Sequence, residues 1–252
     1  MVTRTRVVWL FLIFIAAALW LAVQRGLLVV PDRWNPWAPL LIADEPNLLT
    51  SWKLARASGD DALCRRVLSQ TPDLAFVELP DRVTGPSCGF RNAVRIERTS
   101  ADVGEPFALS CRATLSLALW ERHVLQPEAE RAFDSRVTRI EHFGSYACRN
   151  LYGRAAGARS RHATADALDL AGFRLADGRR IRVVGDWDET MASRSPARQP
   201  PVVADEPTGE ARFLKVVHRG ACRYFDAVLG PDYNAAHADH FHFDRGGFRA
   251  CR

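Results

Sequence analysis

The sequence predicts an α+β domain, with a small antiparallel sheet and helices packed on one side, preceded by one N-terminal transmembrane helix. Three observations lead to this fold class. A long uncharged apolar run lies near the N-terminus. Longer segments have the apolar spacing of amphipathic helices, and short segments alternate apolar and polar residues as hairpin-connected strands do. With 48% hydrophobic and 25% charged residues, the chain has enough apolar material for one core.

The N-terminal segment is predicted to cross a membrane. Residues 7–23 (VVWLFLIFIAAALWLAV) carry no charge and reach the short end of the lengths that span a bilayer. A secretory signal peptide is the alternative, but no clear A-x-A cleavage site follows. The prediction is a cytoplasmic tail at residues 1–6, an uncleaved transmembrane signal anchor at 7–30 and a proline- and tryptophan-rich linker at 31–47.

Residues 48–252 are predicted to form one exported domain. The helix over residues 114–133 has an apolar stripe that includes Trp120. Asp177 and Gly178 form a hairpin turn between two strands. Residues 192–210 contain several prolines without periodicity and are predicted to be a mobile insertion. The other predicted elements are a helix over 48–71, strands within 91–100, 136–146, 165–173 and 180–187, a helix over 213–229 and a final strand that carries histidines.

The six cysteines indicate an oxidising compartment. All of them follow the apolar segment, and none forms a C-x-x-C pair, which argues against zinc-ribbon and thioredoxin-type sites. An even, dispersed set behind an export signal is typical of disulfides, with buried free thiols as the alternative. Six cysteines allow 15 pairings. The working prediction pairs them in sequence order, as Cys64–Cys88, Cys111–Cys148 and Cys222–Cys251.

The charge of the chain bears on its partners. The net charge is +5 and the pI is about 9.1, with basic residues scattered and not gathered in a stripe. No nucleic-acid motif is present, so nucleic-acid binding is not expected. Attraction to an anionic polymer, such as a cell-wall glycan with peptide carboxylates, is compatible with this charge.

The stretch HADHFHF, residues 237–243, predicts a strand that holds two imidazoles side by side. Positions i and i+2 of a strand share a face, so His240 and His242 point one way. Phe241 and Phe243 then point the other way, into a core. A tetrahedral catalytic metal site needs three protein ligands, so further ligands must come from elsewhere. The segment 157–170 offers a histidine and an aspartate beside small alanines.

At these residues the chain resembles known families. Ser160, His162, Ala167 and Asp169 form the pattern S-x-H-x-x-x-x-A-x-D, which is followed far downstream by H-x-H. This pattern resembles the LAS-type zinc peptidases, which include D-Ala-D-Ala carboxypeptidases, murein endopeptidases and the hedgehog signalling domain. Over roughly residues 60–252, the chain is more closely similar to the extensin-like C-terminal domain family of the same structural group. The stretches that carry this similarity are 144–149, 159–178, 213–244 and 251–252.

The resemblance implies a ligand set for Zn²⁺. His162 and Asp169 would bind the ion through the first motif, and His242 would be the third ligand. Arg149 matches the arginine that meets carboxylate or carbonyl groups of the substrate in relatives. Ala165 stands where zinc peptidases usually have glycine, and alanine fits there if its φ is negative. Arg161, beside His162, would weaken cation binding slightly if its side chain faced the site.

The proton-transfer residue is left open between His240 and Asp239. The resemblance implies that His240 is the second-sphere histidine that handles protons, with His237 as a further histidine of the site. Carboxypeptidases use a glutamate as general base at the position of Asp239. Strand alternation is expected to turn Asp239 away from His240 and His242, so Asp239 could act only on a bulged strand.

The function that the resemblance implies is zinc-dependent amide hydrolysis in peptidoglycan stem peptides or cross-links. The protein would be a single-pass inner-membrane protein with its C-terminal domain in the periplasm. Two alternatives stay open. One is a non-catalytic cell-wall-binding or scaffolding module that keeps the metallopeptidase fold, and the other is a disulfide-rich domain without metal.

Overall fold

The structure is a computed structural model that describes residues 2–188 and 207–252. The chain divides into two compact units, one ending at Pro39 and one running from Leu40 to Arg252. In the first unit, helix α1 covers Val2–Gln24. Its stretch Arg6–Gln24 is long and apolar enough to serve as a membrane anchor or a signal sequence. Most of the predicted insertion at 192–210 lies outside the described residues.

The second unit has helices α2 (Thr50–Ser58), α3 (Asp61–Ser69), α4 (Cys111–Trp120), α5 (Gln126–Phe133) and α6 (Gly209–Ala221). The helix predicted over 48–71 is therefore two helices. Asp60 interrupts it with an extended backbone, and its side chain accepts a hydrogen bond from the backbone N–H of Leu63 as an N-cap. The helix predicted over 213–229 ends at Ala221, and its last predicted residues form a strand.

The strands are β1 (Ala75–Leu79), β2 (Arg82–Gly85), β3 (Cys88–Phe90), β4 (Ala93–Arg98), β5 (Asp102–Ser110), β6 (Val137–Gly144), β7 (Ala167–Leu175), β8 (Arg180–Arg182), β9 (Ala227–Leu229), β10 (Phe241–Asp244) and β11 (Ala250–Cys251). The main sheet runs β1-β4-β5-β6-β7-β10-β9-β11, with β8 also on β7, and β2 and β3 form a separate hairpin.

The prediction of an α+β fold is confirmed, but the prediction of a small antiparallel sheet is wrong. Within residues 2–188 and 207–252 the main sheet has nine strands, and it is mixed because β5 pairs with β6 and β9 pairs with β11 in parallel. The additional strands were not predicted, because they are short and their apolar and polar residues alternate only weakly. The strand predicted over 180–187 is correspondingly shorter, because it ends at Arg182 and a turn follows.

One aromatic core joins the helices to the sheet. Trp120 of α4 lies 5.2 Å from the ring of Phe243 and 6.2 Å from that of Phe173. Phe173 in turn lies 5.7 Å from Phe213 of α6. All four side chains are fully buried. Phe241 is stacked near Phe243 and is also buried, so the predicted role of these two rings as anchors of the histidine strand is confirmed.

All six cysteines form disulfides, but two of the predicted pairings are wrong. Cys222–Cys251 is present as predicted. The other bonds are Cys64–Cys111 and Cys88–Cys148, with Cα separations of 6.2 and 5.5 Å. Packing of α3 against α4 brings the first pair together. The β3 strand and the loop after β6 bring the second pair together, so tertiary contacts, and not sequence order, decide the pairing.

A π-helical turn at Glu121–Leu125 joins α4 to α5 and buries the Glu121 carboxyl group. Its Oε2 accepts hydrogen bonds from Ser100 Oγ at 2.6 Å and from the Ser100 backbone N–H at 3.2 Å. Burial raises the pKa of Glu121 to about 7, although the hydrogen bonds from Ser100 and the nearby hydroxyl group of Thr99 oppose the shift. Between pH 4.5 and about 7, the folded protein therefore holds a proton on Glu121 that the unfolded chain has released.

Stability is expected to depend on the ionisation of Glu121. Between its ordinary pKa of 4.5 and the folded value of about 7, the free energy of unfolding should fall as pH rises. The loss should level off above pH 7 at about 3 kcal/mol. Glu121→Gln should remove this dependence of stability on pH, because the amide does not ionise. It should raise the melting temperature at pH 8 but change it little at pH 4.5. Circular dichroism melts of both proteins in detergent test this, and parallel pH profiles would contradict it.

Candidate metal centre

The pairing of β7 with β10 places Asp169 and His242 side by side. These strands are antiparallel, and His242 is directly opposite Asp169 in the register. The neighbours Phe241 and Phe243 point into the core, so His242 lies on the other face of the sheet. Asp169 Oδ1 is 2.8 Å from His242 Nδ1. Two residues that are 73 positions apart in the sequence thus become cross-strand neighbours.

His162 completes the group from a short 3₁₀ turn, Arg161–Thr164, that leads into β7. Ser160 caps this turn by accepting a hydrogen bond from the His162 backbone N–H at 3.3 Å. His162 Nε2 lies 3.1 Å from Asp169 Oδ1 and 3.1 Å from His242 Nδ1. Among the described residues, these three side chains form a buried group that could hold a metal ion.

The outer nitrogen of each imidazole has its own partner, which fixes the ring. His162 Nδ1 lies 2.5 Å from the backbone carbonyl oxygen of Ser145, to which it can only donate. His242 Nε2 lies 3.2 Å from Asp244 Oδ2. In the neutral form that a metal requires, with the proton on these outer atoms, the two rings would present the lone pairs of His162 Nε2 and His242 Nδ1 to an ion beside Asp169. This arrangement is typical of metal-binding histidines.

The dimensions of the triad fit a zinc ion. Zinc–nitrogen and zinc–oxygen bonds of about 2.0–2.1 Å at tetrahedral angles separate the ligand atoms by about 3.3 Å. The observed separations are 2.8, 3.1 and 3.1 Å. Two imidazole nitrogens and one carboxylate oxygen are also a donor set that suits zinc. A cation at the centre of the triad therefore needs only small outward shifts of these atoms.

The electrostatics of the triad favour a positive charge at its centre. Burial alone would lower the pKa of His242, but the hydrogen bonds to Asp169 and Asp244 and their negative charges raise it to about 9. Burial would raise the pKa of Asp169, yet hydrogen bonds from His162 and His242 hold it well below its usual range. A proton thus stabilises the triad, and a metal ion bound there would take the place of that proton.

His240 lies at the edge of the triad and is oriented by Asp239. His240 Nε2 is 3.6 Å from Asp169 Oδ1, and its Nδ1 is 2.8 Å from Asp239 Oδ1. The expectation that Asp239 turns away from His240 is wrong, because β10 begins only at Phe241 and strand alternation does not extend back to Asp239. The Asp239 side chain is 53% exposed and lies behind the imidazole, on the side away from Asp169.

His237, the first histidine of the stretch 237–243, packs against His240 and His242. It ends a 3₁₀ turn, Ala235–His237, and its ring is 5.3 Å from that of His240 and 5.8 Å from that of His242. Its Nδ1 lies 2.8 Å from Asn234 Oδ1. Burial, followed by the charges of His242 and His240, lowers the pKa of His237 to about 4. It is therefore neutral at physiological pH.

Arg149 approaches the triad from the loop after β6. Its Nη2 is 3.8 Å from Asp169 Oδ2, and 42% of its side chain is exposed. The Ser160 backbone N–H donates to the Arg149 carbonyl at 3.0 Å, which ties this loop to the turn that carries His162. The guanidinium group thus borders the site and still faces solvent. Arg161, by contrast, has its side chain against Gly246.

The backbone at Ala165 differs from the expectation of a negative φ. Ala165 has φ 54° and ψ 28°, the left-handed conformation that ends the His162 turn and for which glycine is usual. The conformation costs an alanine about 1–2 kcal/mol. The backbone amide of Ser110 donates to the Ala165 carbonyl at 2.7 Å, which holds the turn against the start of α4.

Sequence reasoning missed the residues that support the triad. Asp244 could have been found, because it lies two positions after His242 and so on the same face of the strand. The partnership of Arg112 with Asp166 had no signal in the sequence. Asp166 accepts hydrogen bonds from Arg112 Nε and Nη2 at 2.7 and 2.6 Å, and from Thr164 Oγ1 at 2.7 Å. This ion pair ties α4 to the turn that bears His162.

Arg112→Met is expected to destabilise the protein by leaving the buried Asp166 carboxylate without its cation. The free energy of unfolding should fall by about 2–3 kcal/mol, less than for a fully buried pair because Arg112 is 42% exposed on its side chain. Adding Asp166→Asn to this variant should restore part of the loss, because the amide carries no charge. Thermal melts of the wild type, the two single variants and the double variant give the coupling free energy between Arg112 and Asp166. Strictly additive effects of the two substitutions would contradict the predicted ion pair.

Asp244→Asn should weaken zinc binding by about 10–100-fold. An amide in place of the Asp244 carboxylate can donate to His242 Nε2, which would move the ring proton to Nδ1, the atom that faces the triad. The measurement is a zinc titration in competition with a chromophoric chelator. Asp239→Asn is the matched control, since its partner His240 is not a ligand. Equal affinities of the two variants would show that Asp244 does not orient the ligand.

The comparisons with known proteins place the chain in a family. No curated protein and no solved structure matches it. A family model described as extensin-like protein C-terminus matches residues 62–252. The match includes β1–β11, the His162 turn, both strands of the triad and all six cysteines. The chain therefore belongs to the extensin-like protein C-terminus family.

Proposed function

We propose that this protein is a zinc-dependent peptidase that cleaves amide bonds in peptidoglycan stem peptides or cross-links. The observation that carries the proposal is the buried group of His162, Asp169 and His242, with His240 Nε2 3.6 Å from Asp169 Oδ1. Catalytic zinc sites take three ligands from the protein, and a neighbouring imidazole is a suitable proton-transfer group. The resemblance of the two motifs to the LAS-type peptidases supports the same reaction.

His162, Asp169 and His242 would hold the ion. Zinc bound there would supply Lewis-acid polarisation of the scissile carbonyl and would make a water molecule more acidic. The protein contributes the fixed geometry of the ligands, because Ser145 and Asp244 hold the two rings in place. The buried surroundings of the triad strengthen every charge interaction at this position.

His240 is proposed to carry the proton. Its Nε2 faces the triad, while its Nδ1–H donates to Asp239, so the neutral ring presents a lone pair at Nε2. It would accept a proton there from the attacking water and then deliver it to the leaving amine. Asp239 would stabilise the imidazolium that forms in between. Asp239 thus acts through His240, and neutral His237 packs behind the ring and limits its movement.

Arg149 is proposed to bind the substrate. Its guanidinium group stands at the border of the triad with 42% of the side chain exposed. A guanidinium in this position can form paired hydrogen bonds with a substrate carboxylate. Peptidoglycan stems carry such carboxylates, and the net charge of +5 favours an anionic substrate in general.

The cellular place of this reaction is proposed to be the periplasmic side of the inner membrane. Helix α1 would serve as the anchor, since residues Arg6–Gln24 could cross a bilayer. The three disulfides support export, because such bonds persist in oxidising compartments. The domain would then act on the wall within reach of its linker.

A non-catalytic wall-binding module is the second candidate, and one observation favours it. The carboxylate at position 239, where carboxypeptidases have their general base, lies behind His240 and not towards the triad. If His240 does not transfer protons, the same site would bind zinc and wall peptides without cleaving them. Such a module would keep its binding to sacculi after His240→Gln.

Digestion of purified muropeptides by the full chain in detergent tests the proposal. The wild type with zinc should release cleaved stem peptides, and a chelator should stop the release. His240→Gln should lower the rate by about 10²–10⁴-fold while the zinc content stays near that of the wild type. His142→Gln is the control, because His142 bonds the backbone of β5 and lies outside the triad. Full zinc loading without cleavage of any muropeptide would refute the proposed peptidase activity and would favour the non-catalytic wall-binding module.

A further inference from the structure

A polar cavity lies apart from the metal centre. It has a volume of about 600 Å³, and none of the residues that line it belongs to the triad or its neighbours. Its walls come from the start of the second unit, the turn after α3, the loop at Thr99–Ser100 and the π-helical turn between α4 and α5. This volume falls within the range of small-molecule sites. Single π-helical turns are frequent at functional sites.

Glu121 brings an unused acceptor to this cavity. The residue is 1% exposed, and its Oε2 is taken by Ser100, but its Oε1 has no hydrogen-bond partner among the described residues. A buried carboxylate oxygen without a partner costs several kcal/mol if ionised. No cationic group is paired with it in the described part of the chain. A positively charged donor from outside the protein would remove this cost.

Tyr224 supplies a second unused group in the same cavity. Its ring is 4% exposed, and its Oη also has no hydrogen-bond partner among the described residues. Both Glu121 and Tyr224 line the cavity. An ammonium group has three donors and can reach a carboxylate and a hydroxyl oxygen together. Glu121 and Tyr224 thus each offer an acceptor to an ammonium group bound in the cavity.

The outer part of the cavity carries charges of both signs. Glu130 pairs with Arg136 at 3.5 Å, which leaves Arg122 and Arg223 as the other cations of the lining. A ligand whose ammonium group reaches Glu121 can place a carboxylate against one of these arginines. Mixed lining charge is a poor match for a ligand with charge of only one sign.

We infer that this cavity binds a small molecule that carries both an ammonium and a carboxylate group, as amino acids do, with Glu121 as the ammonium acceptor. The site is independent of the metal centre and does not rest on the proposed peptidase activity. Tyr224 is the second contact of the ammonium group, and Arg122 is the contact of the carboxylate. Binding at pH 7 displaces a proton from Glu121, because the carboxylate becomes the preferred form.

Calorimetric titration of the full chain in detergent tests the site with three matched probes. L-alanine carries both charged groups, ethylamine carries the ammonium alone and propionate carries the carboxylate alone. We expect saturable binding of L-alanine, with ethylamine about tenfold weaker and propionate weaker still. The heat of L-alanine binding at pH 7 should change with the ionisation enthalpy of the buffer, which reports the released proton.

Variants identify the contacts. Glu121→Gln should weaken L-alanine binding at least about tenfold, and Arg122→Gln should weaken L-alanine but leave ethylamine unchanged. Glu78→Gln, on β1 and outside the cavity, is the control. Tyr224→Phe removes one hydroxyl group and tests the site even if Glu121→Gln does not fold. It should weaken the binding of both L-alanine and ethylamine several-fold.

Failure of all three probes to bind at up to about 10 mM would overturn the inference. So would unchanged L-alanine affinity in a folded Glu121→Gln or Tyr224→Phe variant.

Discussion

The antiparallel pairing of β7 with β10 is the constraint on which the candidate site depends. It sets Asp169 opposite His242 and brings His162, at the entrance to β7, to within 3.1 Å of both. The register is held from behind, because Phe241 and Phe243 are buried among Trp120, Trp187 and Phe225. A slip of one residue would bury the imidazole of His242 in the core and expose both rings. The hydrophobic core thus determines the geometry of the polar site.

This geometry places a buried carboxylate against two imidazoles. Such a group is costly unless a positive charge balances it, which explains why the pKa of Asp169 lies well below its usual range while that of His242 rises to about 9. The supporting groups reinforce the arrangement. Ser145 and Asp244 hold the rings, and the Arg112–Asp166 pair holds the His162 turn on α4. A cation of higher charge than the proton fits the same position.

Much of this site could be read from the sequence because its signals are local. Strand alternation placed His242 on the polar face, and Phe241 and Phe243 on either side of it indicated the buried face, although His240 lies just before β10. The small residues around Asp169 indicated a close approach of strands. The roles of Asp239 and Ala165 could not be read, since they depend on where β10 begins and on how the His162 turn ends.

The fold was harder to predict from the sequence, because the number of strands in the main sheet depends on pairing between distant segments. Strands β9 and β11 have only three and two residues, and the parallel pairs β5–β6 and β9–β11 join strands that other elements separate along the chain. The disulfides Cys64–Cys111 and Cys88–Cys148 follow from that packing and not from sequence order. Glu121 and Tyr224 likewise meet in one cavity only through the tertiary structure. Local patterns predict element type and face, while contacts between distant elements require the structure.

The most direct test of the metal centre is the zinc content of the purified full chain, compared with that of His162→Ala. Prepared in detergent without chelators, the wild type should contain about one zinc ion per chain, and the variant should contain close to none although it still melts cooperatively. A wild type that neither retains zinc nor takes it up on addition would contradict the account. Equal zinc contents in the two proteins would contradict it as well.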